Sequence, residues 1–290
     1  MGNDYIQILV NCGISILIPV AFISFYWMRD KYFIRYKIQR EYVFKERFGI
    51  KNKLAKSKTP LIKAAEELNF RLWNLSQNIN EGWTKCEDLE QLKIKGNFYY
   101  IKSSVYRLLT FFYWLERSEM DIYDFDFSMA DKKDALYLKY IKTLKHFFCD
   151  NDLFSGIKYD YNCENAHFFK DNISVFTKYI SKDNCNMGYE EFLLKFENDF
   201  EEISPVVNYI CSVDSSQINL QYNVLMSFHL FLMLFLNKYG LDYHYTPKKK
   251  FDKLIKEKYY RITIKTGLVK FFDRNKIDTE VKWIIKGLKL

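Results

Sequence analysis

The sequence predicts a mainly α-helical protein, with a single N-terminal transmembrane helix followed by an α-helical cytoplasmic bundle. Three observations predict it. Residues 5–27 carry no charged side chain. The 290-residue chain is 49% apolar and 19% aromatic, yet holds only ten Gly and four Pro. Downstream, apolar residues recur at the helical period. This composition excludes a disordered chain, which is poor in aromatics. It also excludes collagen-like and disulfide-dense classes and disfavours an all-β sandwich, whose turns need more Gly and Pro.

The first element is the run YIQILVNCGISILIPVAFISFYW, Tyr5 to Trp27. A helix of that length rises about 34 Å and crosses a hydrocarbon core of about 30 Å. Gly13 and Pro19 are tolerated in a membrane helix. Tyr26 and Trp27 suit the headgroup layer. A cleaved signal peptide fits less well: Asp4 precedes the run, and bulky Phe25 to Met28 replace a small-residue cleavage site. A buried core helix is the bland alternative. No Lys or Arg precedes the run, and Arg29, Lys31, Arg35, Lys37 and Arg40 follow it. The positive-inside rule then puts the N-terminus outside and the body in the cytoplasm of a bacterial-type inner membrane. Six cysteines without a paired framework agree with that side. Gln7, Asn11 and Ser15 fall at i, i+4, i+8 on one helix face. Polar groups in lipid seek a partner helix, so this face is a candidate oligomerisation seam; hydration at the outer interface is the competing reading.

Charge divides the rest. Residues 29–58 carry a net +8, residues 59–246 a net −8 and residues 247–290 a net +9. The boundaries expected from this are an anchor (1–28), a basic juxtamembrane helix (29–58), an α-helical cytoplasmic domain (59–246) and a basic C-terminal segment (247–290). The five cations from Arg29 to Arg40 are the candidate membrane-surface residues, because anionic headgroups attract juxtamembrane Lys and Arg at about 1 kcal/mol each. The C-terminal cations, interleaved with Tyr259, Tyr260, Phe271, Phe272 and Trp283, offer a lipid, nucleic-acid or partner surface.

Within the body, Thr59-Pro60 reads as a helix start, with Leu61, Ala64, Ala65, Leu68, Leu72 and Leu75 on one stripe. A longer helix is expected over about 89–119, with Gly96 as a potential divide, and another over about 131–148. Residues 150–170 lack a period. Shorter helices are expected over 171–180 and 189–203. A long one begins at Ser215 or Ser216 and ends at Tyr239, with Gly240 as a left-handed stop. Its stretch Val224–Leu236 is apolar nearly all round, which predicts a bundle's central helix rather than a second span. Residues 259–265 suit a strand or a helix end.

Motifs that carry chemistry are mostly absent from the sequence. Walker, G-x-G-x-x-G, G-x-S-x-G, H-E-x-x-H and EF-hand patterns are absent from the sequence. No cofactor is expected, with zinc the one exception: His146, Cys149, Cys163 and His167 have two-pair spacing, although H-x2-C order is unusual. Glu280 and Lys282, with Asp273 and Asp278 upstream, outline a metal-dependent nuclease pattern that a Lys-rich tail also produces by chance. His229, alone in the most apolar helix, reads as a hydrogen-bonded core residue or as the lining of a cavity. The leading function is binding: a membrane-anchored helical protein that oligomerises, or recruits a partner or ligand at the inner membrane, such as an effector or accessory in antiphage defence. A membrane-tethered nuclease and a pore-forming effector are the alternatives. An enzyme is the less favoured class.

Overall fold

The computed structural model describes residues 2–121, 126–162, 165–216, 219–256, 262–277 and 286–287, and for 2–4, 6–14, 16, 127 and 262–264 the backbone alone. It is mainly helical. Its contacts divide it into two units, Met1–Lys51 with Phe125–Asp131, and Asn52–Asp124 with Lys132–Leu290.

Helix α1 spans Gly2–Gln77. Thr59-Pro60, expected to begin a helix, lies inside it. A proline removes one amide donor and one hydrogen bond. The neighbouring Lys, Ala, Leu and Glu are good helix formers, and an existing helix propagates more easily than a new one nucleates. In the first unit, Arg47 Nε donates to the Met129 carbonyl (3.0 Å), and Lys51 pairs with Asp131 at 3.0 Å.

In the second unit, Leu61, Ala64, Ala65, Leu68, Leu72 and Leu75 of α1 are all buried, as their spacing predicts. The helix expected over 89–119 is divided. A 3₁₀ turn covers Leu89–Lys93, Gly96 takes φ +80°, and α2 begins afterwards at Tyr99–Met120. Then come α3 (Lys132–Lys145), α4 (Asn172–Ile180), α5 (Tyr189–Asn198), α6 (Ser204–Cys211) and α7 (Leu220–Tyr239). Helices α8 (Lys248–Ile255) and α9 (Ile262–Arg274) follow. Residues 262–265 are therefore helical. A two-stranded antiparallel hairpin, β1 (Ser181–Lys182) and β2 (Cys185–Asn186), follows α4. Its turn residues Asp183 and Asn184 both take positive φ, the conformation a tight hairpin requires.

Helix α2 packs against α3, α4, α5 and α6, and α7 against α3, α8 and α9. The core between them is aromatic. Phe147, Phe148, Phe228, Phe231 and Phe271 form a continuous cluster with centroids 4.8–6.3 Å apart. Tyr222–Leu236 of α7 are buried without a break, so the most apolar stretch of the chain is solvated by protein. The cap of α7 is Asn219, whose side chain accepts from the Tyr222 amide. Gly240 is extended (φ −75°), not left-handed as expected. Glycine is needed there for space: a Cβ would lie 2.5 Å from the Leu236 carbonyl and 2.7 Å from His244 Nδ1.

Candidate functional site: a two-arginine cleft and an exposed apolar helix

Two features stand apart from the core. The first is in α1 of the first unit. Leu17, Ile18, Val20, Phe22, Ile23 and Phe25 through Met28 are each 50–68% exposed. Together they present on the order of 1,000 Å² of apolar surface, against roughly 300–600 Å² for the largest patch of a typical monomer. At about 25 cal/mol per Å², moving that surface out of water is worth about 25 kcal/mol gross. The cations beyond it are exposed too. Arg29 lies over the Tyr26 ring (4.5 Å), Lys31 over Trp27 (4.6 Å) and Arg40 over Tyr36 (5.1 Å). Such rings and cations suit the boundary between hydrocarbon and headgroups. Gln7 and Asn11 lie on the α1 backbone, and their side chains fall outside the described residues; Ser15 is exposed.

The second feature is a cleft of about 450 Å³ between α1 and α2, in the second unit. Glu67 and Arg71 share one face of α1 at i, i+4. Tyr99, Ser103 and Arg107 share one face of α2 at i, i+4, i+8. Helix packing brings the two rows together. Arg71 Nη2 donates to Ser103 Oγ at 2.5 Å, and Arg107 Nη1 donates to the same oxygen and to the Ser103 carbonyl (3.1 Å). Arg71 also lies over the Tyr100 ring at 4.4 Å and the Tyr99 ring at 5.6 Å. Among the described residues neither guanidinium makes an ion pair; Glu67 lines the cleft without reaching either. Their nearest nitrogens are within about 5 Å, which costs about 1–3 kcal/mol of repulsion at effective dielectrics between protein surface and water.

Tyr99 and Tyr100 complete the walls, and Tyr189 packs behind Tyr99. A hydrogen bond to Ser103, then Arg71 and Arg107, holds the Tyr99 phenol below its usual range despite partial burial. Tyr189, at the start of α5, stands edge-on to Tyr99 at 6.3 Å and to Tyr106 at 5.1 Å. Its Oη is buried near Ser103 but makes no aligned hydrogen bond, and burial pushes its phenol up to about 12. A serine hydroxyl accepts two hydrogen bonds. Here two guanidiniums and two phenols surround one, so donors outnumber acceptors.

Comparison with known protein families, curated proteins and solved structures returns no match.

Among the described residues, no three His, Cys, Asp or Glu side chains form a metal-holding group. Cys163 lies outside the described residues. His167 Nδ1 is hydrogen-bonded to the Tyr159 hydroxyl at 2.6 Å, and that hydroxyl also accepts from the Ala166 amide. His146 is held toward its neutral form by burial and by Lys145 and Lys170. Cys149 sits in the 3₁₀ turn Phe147–Cys149. His229 is fully buried in α7. Its Nε2 lies 2.9 Å from Asn69 Oδ1 and its ring stands edge-on to Trp73 at 4.9 Å. The described clefts are lined by other residues. Of the nuclease-type residues, Asp273 is exposed, and Asp278, Glu280 and Lys282 lie outside the described residues. Of the aromatics interleaved with the C-terminal cations, Phe271 and Phe272 are buried, and Tyr259, Tyr260 and Trp283 lie outside the described residues. The basic helix α8 does present Lys248, Lys249, Lys250 and Lys253 outward, over buried Phe251, Leu254 and Ile255.

Sequence reasoning missed the cleft. The signal was present as two i, i+4 rows, Glu67/Arg71 and Tyr99/Ser103/Arg107, but nothing in the sequence showed that the rows face each other.

Proposed function

We propose that this chain is a membrane-tethered helical binding protein. The N-terminal part of α1 spans the inner membrane with its N-terminus outside. The cations Arg29, Lys31, Arg35, Lys37 and Arg40 meet anionic headgroups on the cytoplasmic side. The helical second unit then recruits a ligand or protein partner at that surface, and Gln7, Asn11 and Ser15 form a seam for self-association within lipid.

The observation that carries this reading is the consecutive exposure of the apolar side chains from Leu17 to Met28, followed at once by exposed cations. Water is a poor solvent for the first group, and an anionic bilayer surface suits the second. The pore-forming alternative requires Val224–Leu236 to leave the core. That would strip protein contacts from a stretch already buried throughout, so a tether is favoured over a pore.

Cell fractionation tests the tether. The full-length chain should stay in the membrane pellet after an alkaline carbonate wash and be released by non-ionic detergent. Recovery in the soluble fraction without detergent would overturn the reading.

A further inference from the structure

The geometry points to the Arg71–Arg107 cleft as a binding site for a nucleotide: a phosphate held by the two guanidiniums, with a planar base against the exposed Tyr99 ring. This names the ligand of the recruiting domain. It rests on the proposed function only for where the ligand is met, since every residue of the cleft belongs to the second unit.

Three observations carry it. The cleft is lined by two cations, Arg71 and Arg107, and one carboxylate, Glu67, which pairs with neither among the described residues, so its lining carries a net positive charge between two helices. Its donors are oversubscribed on Ser103 Oγ. A phosphate brings several strong acceptor oxygens and matches the guanidinium fork bidentately. It would take Arg71 and Arg107 from the serine. Finally, Tyr99 and Phe70 at the mouth are more than half exposed, and Arg71 already lies against the tyrosine rings. Exposed rings beside a phosphate anchor are what a base stacks on. The volume fits a small ligand, since such pockets run from about 300 to 1,000 Å³. Glu67 also lines the cleft and is a candidate acceptor for sugar hydroxyls or base amino groups.

The test is equilibrium binding to the full-length chain in non-ionic detergent, so its result does not depend on anchoring. The probes are the four ribonucleoside 5′-monophosphates, the unphosphorylated nucleosides, orthophosphate, and short-chain phosphatidylglycerol. At least one nucleotide should bind saturably. Its nucleoside and orthophosphate should each bind about tenfold or more weakly. Arg71→Gln and Arg107→Gln should each weaken nucleotide binding by about tenfold, as loss of a charge-assisted pair does. Lys253→Gln on α8 should not weaken it. Circular dichroism and thermal melting confirm that each variant is folded. Absence of saturable nucleotide binding overturns the proposal, as does binding that survives the Arg71→Gln/Arg107→Gln double variant. Orthophosphate or the lipid binding as tightly as any nucleotide overturns the base-stacking half. A soluble chain that still binds nucleotide would sink the tether and leave this inference standing.

Discussion

His229 makes the fold acid-labile, and the magnitude follows from its surroundings. The ring is fully buried in α7, edge-on to Trp73, with one nitrogen on Asn69. Burial, with no compensating anion, lowers its pKa from 6.5 to about 3. The folded state thus holds the imidazole neutral, while the unfolded chain protonates it near pH 6.5. The unfolded state binds more protons between those two values, so stability is fully present above about pH 6.5 and falls as pH drops toward 3. At about 1.4 kcal/mol per unit, lowering the pH from 7.5 to 4.5 removes about 2–3 kcal/mol through this residue alone. Urea unfolding of the chain in detergent, followed by tryptophan fluorescence at both pH values, measures the loss. His229→Gln keeps a hydrogen bond to Asn69 without a titrating ring. Its loss over the same interval should be smaller by that amount, the difference cancelling Glu119, His146 and other groups that titrate in common. An equal loss in the variant and the parent would refute the buried, neutral assignment.

Other expectations follow from particular contacts. Lys102, 2% exposed, donates to Glu197 and to the Ile94 carbonyl, both at 2.9 Å. Glu197→Ala should therefore cost about 3–5 kcal/mol in urea unfolding by stranding a buried cation, whereas Lys102→Met should cost distinctly less. Gly267 of α9 lies where a Cβ would be 2.1 Å from the Leu153 carbonyl. Gly267→Ala should destabilise by about 1–3 kcal/mol or more, and a melting temperature equal to the parent's would contradict the close approach. Cys211 is pushed up to about 12 by burial and the neighbouring Cys86, while Cys185 is exposed. Iodoacetamide at pH 8 should modify Cys185 well before Cys211, as mapped by peptide mass spectrometry.

The helical class and the main elements were legible because they rest on local periodicity. The stripe from Leu61 to Leu75, the inward Tyr137, Ile141, Leu144 and Phe148, and the all-round apolar α7 occupy the core positions their spacing implies. Boundaries were less legible. Pro60 looked like a start because proline's geometry suits a first turn, but it is tolerated inside a helix that already exists. Gly240 looked like a left-handed cap, whereas its role is steric and depends on His244 folding back toward it. The hairpin at 181–186 escaped notice because two-residue strands carry too few side chains to show a period. The cleft was illegible for a different reason. Its meaning lies in two arginines converging on one serine, and convergence between α1 and α2 is a tertiary fact that neither helix records.

The most direct measurement places a nitroxide on Ile23→Cys of the chain reconstituted in anionic liposomes, in a background lacking its other cysteines, with Lys45→Cys as the comparison. If the apolar run of α1 lies in lipid, the label at position 23 collides often with oxygen, which concentrates in hydrocarbon, and rarely with a water-soluble nickel chelate. The label at position 45 shows the reverse. Equal nickel collision at both positions would place residue 23 in water and contradict the account at its centre.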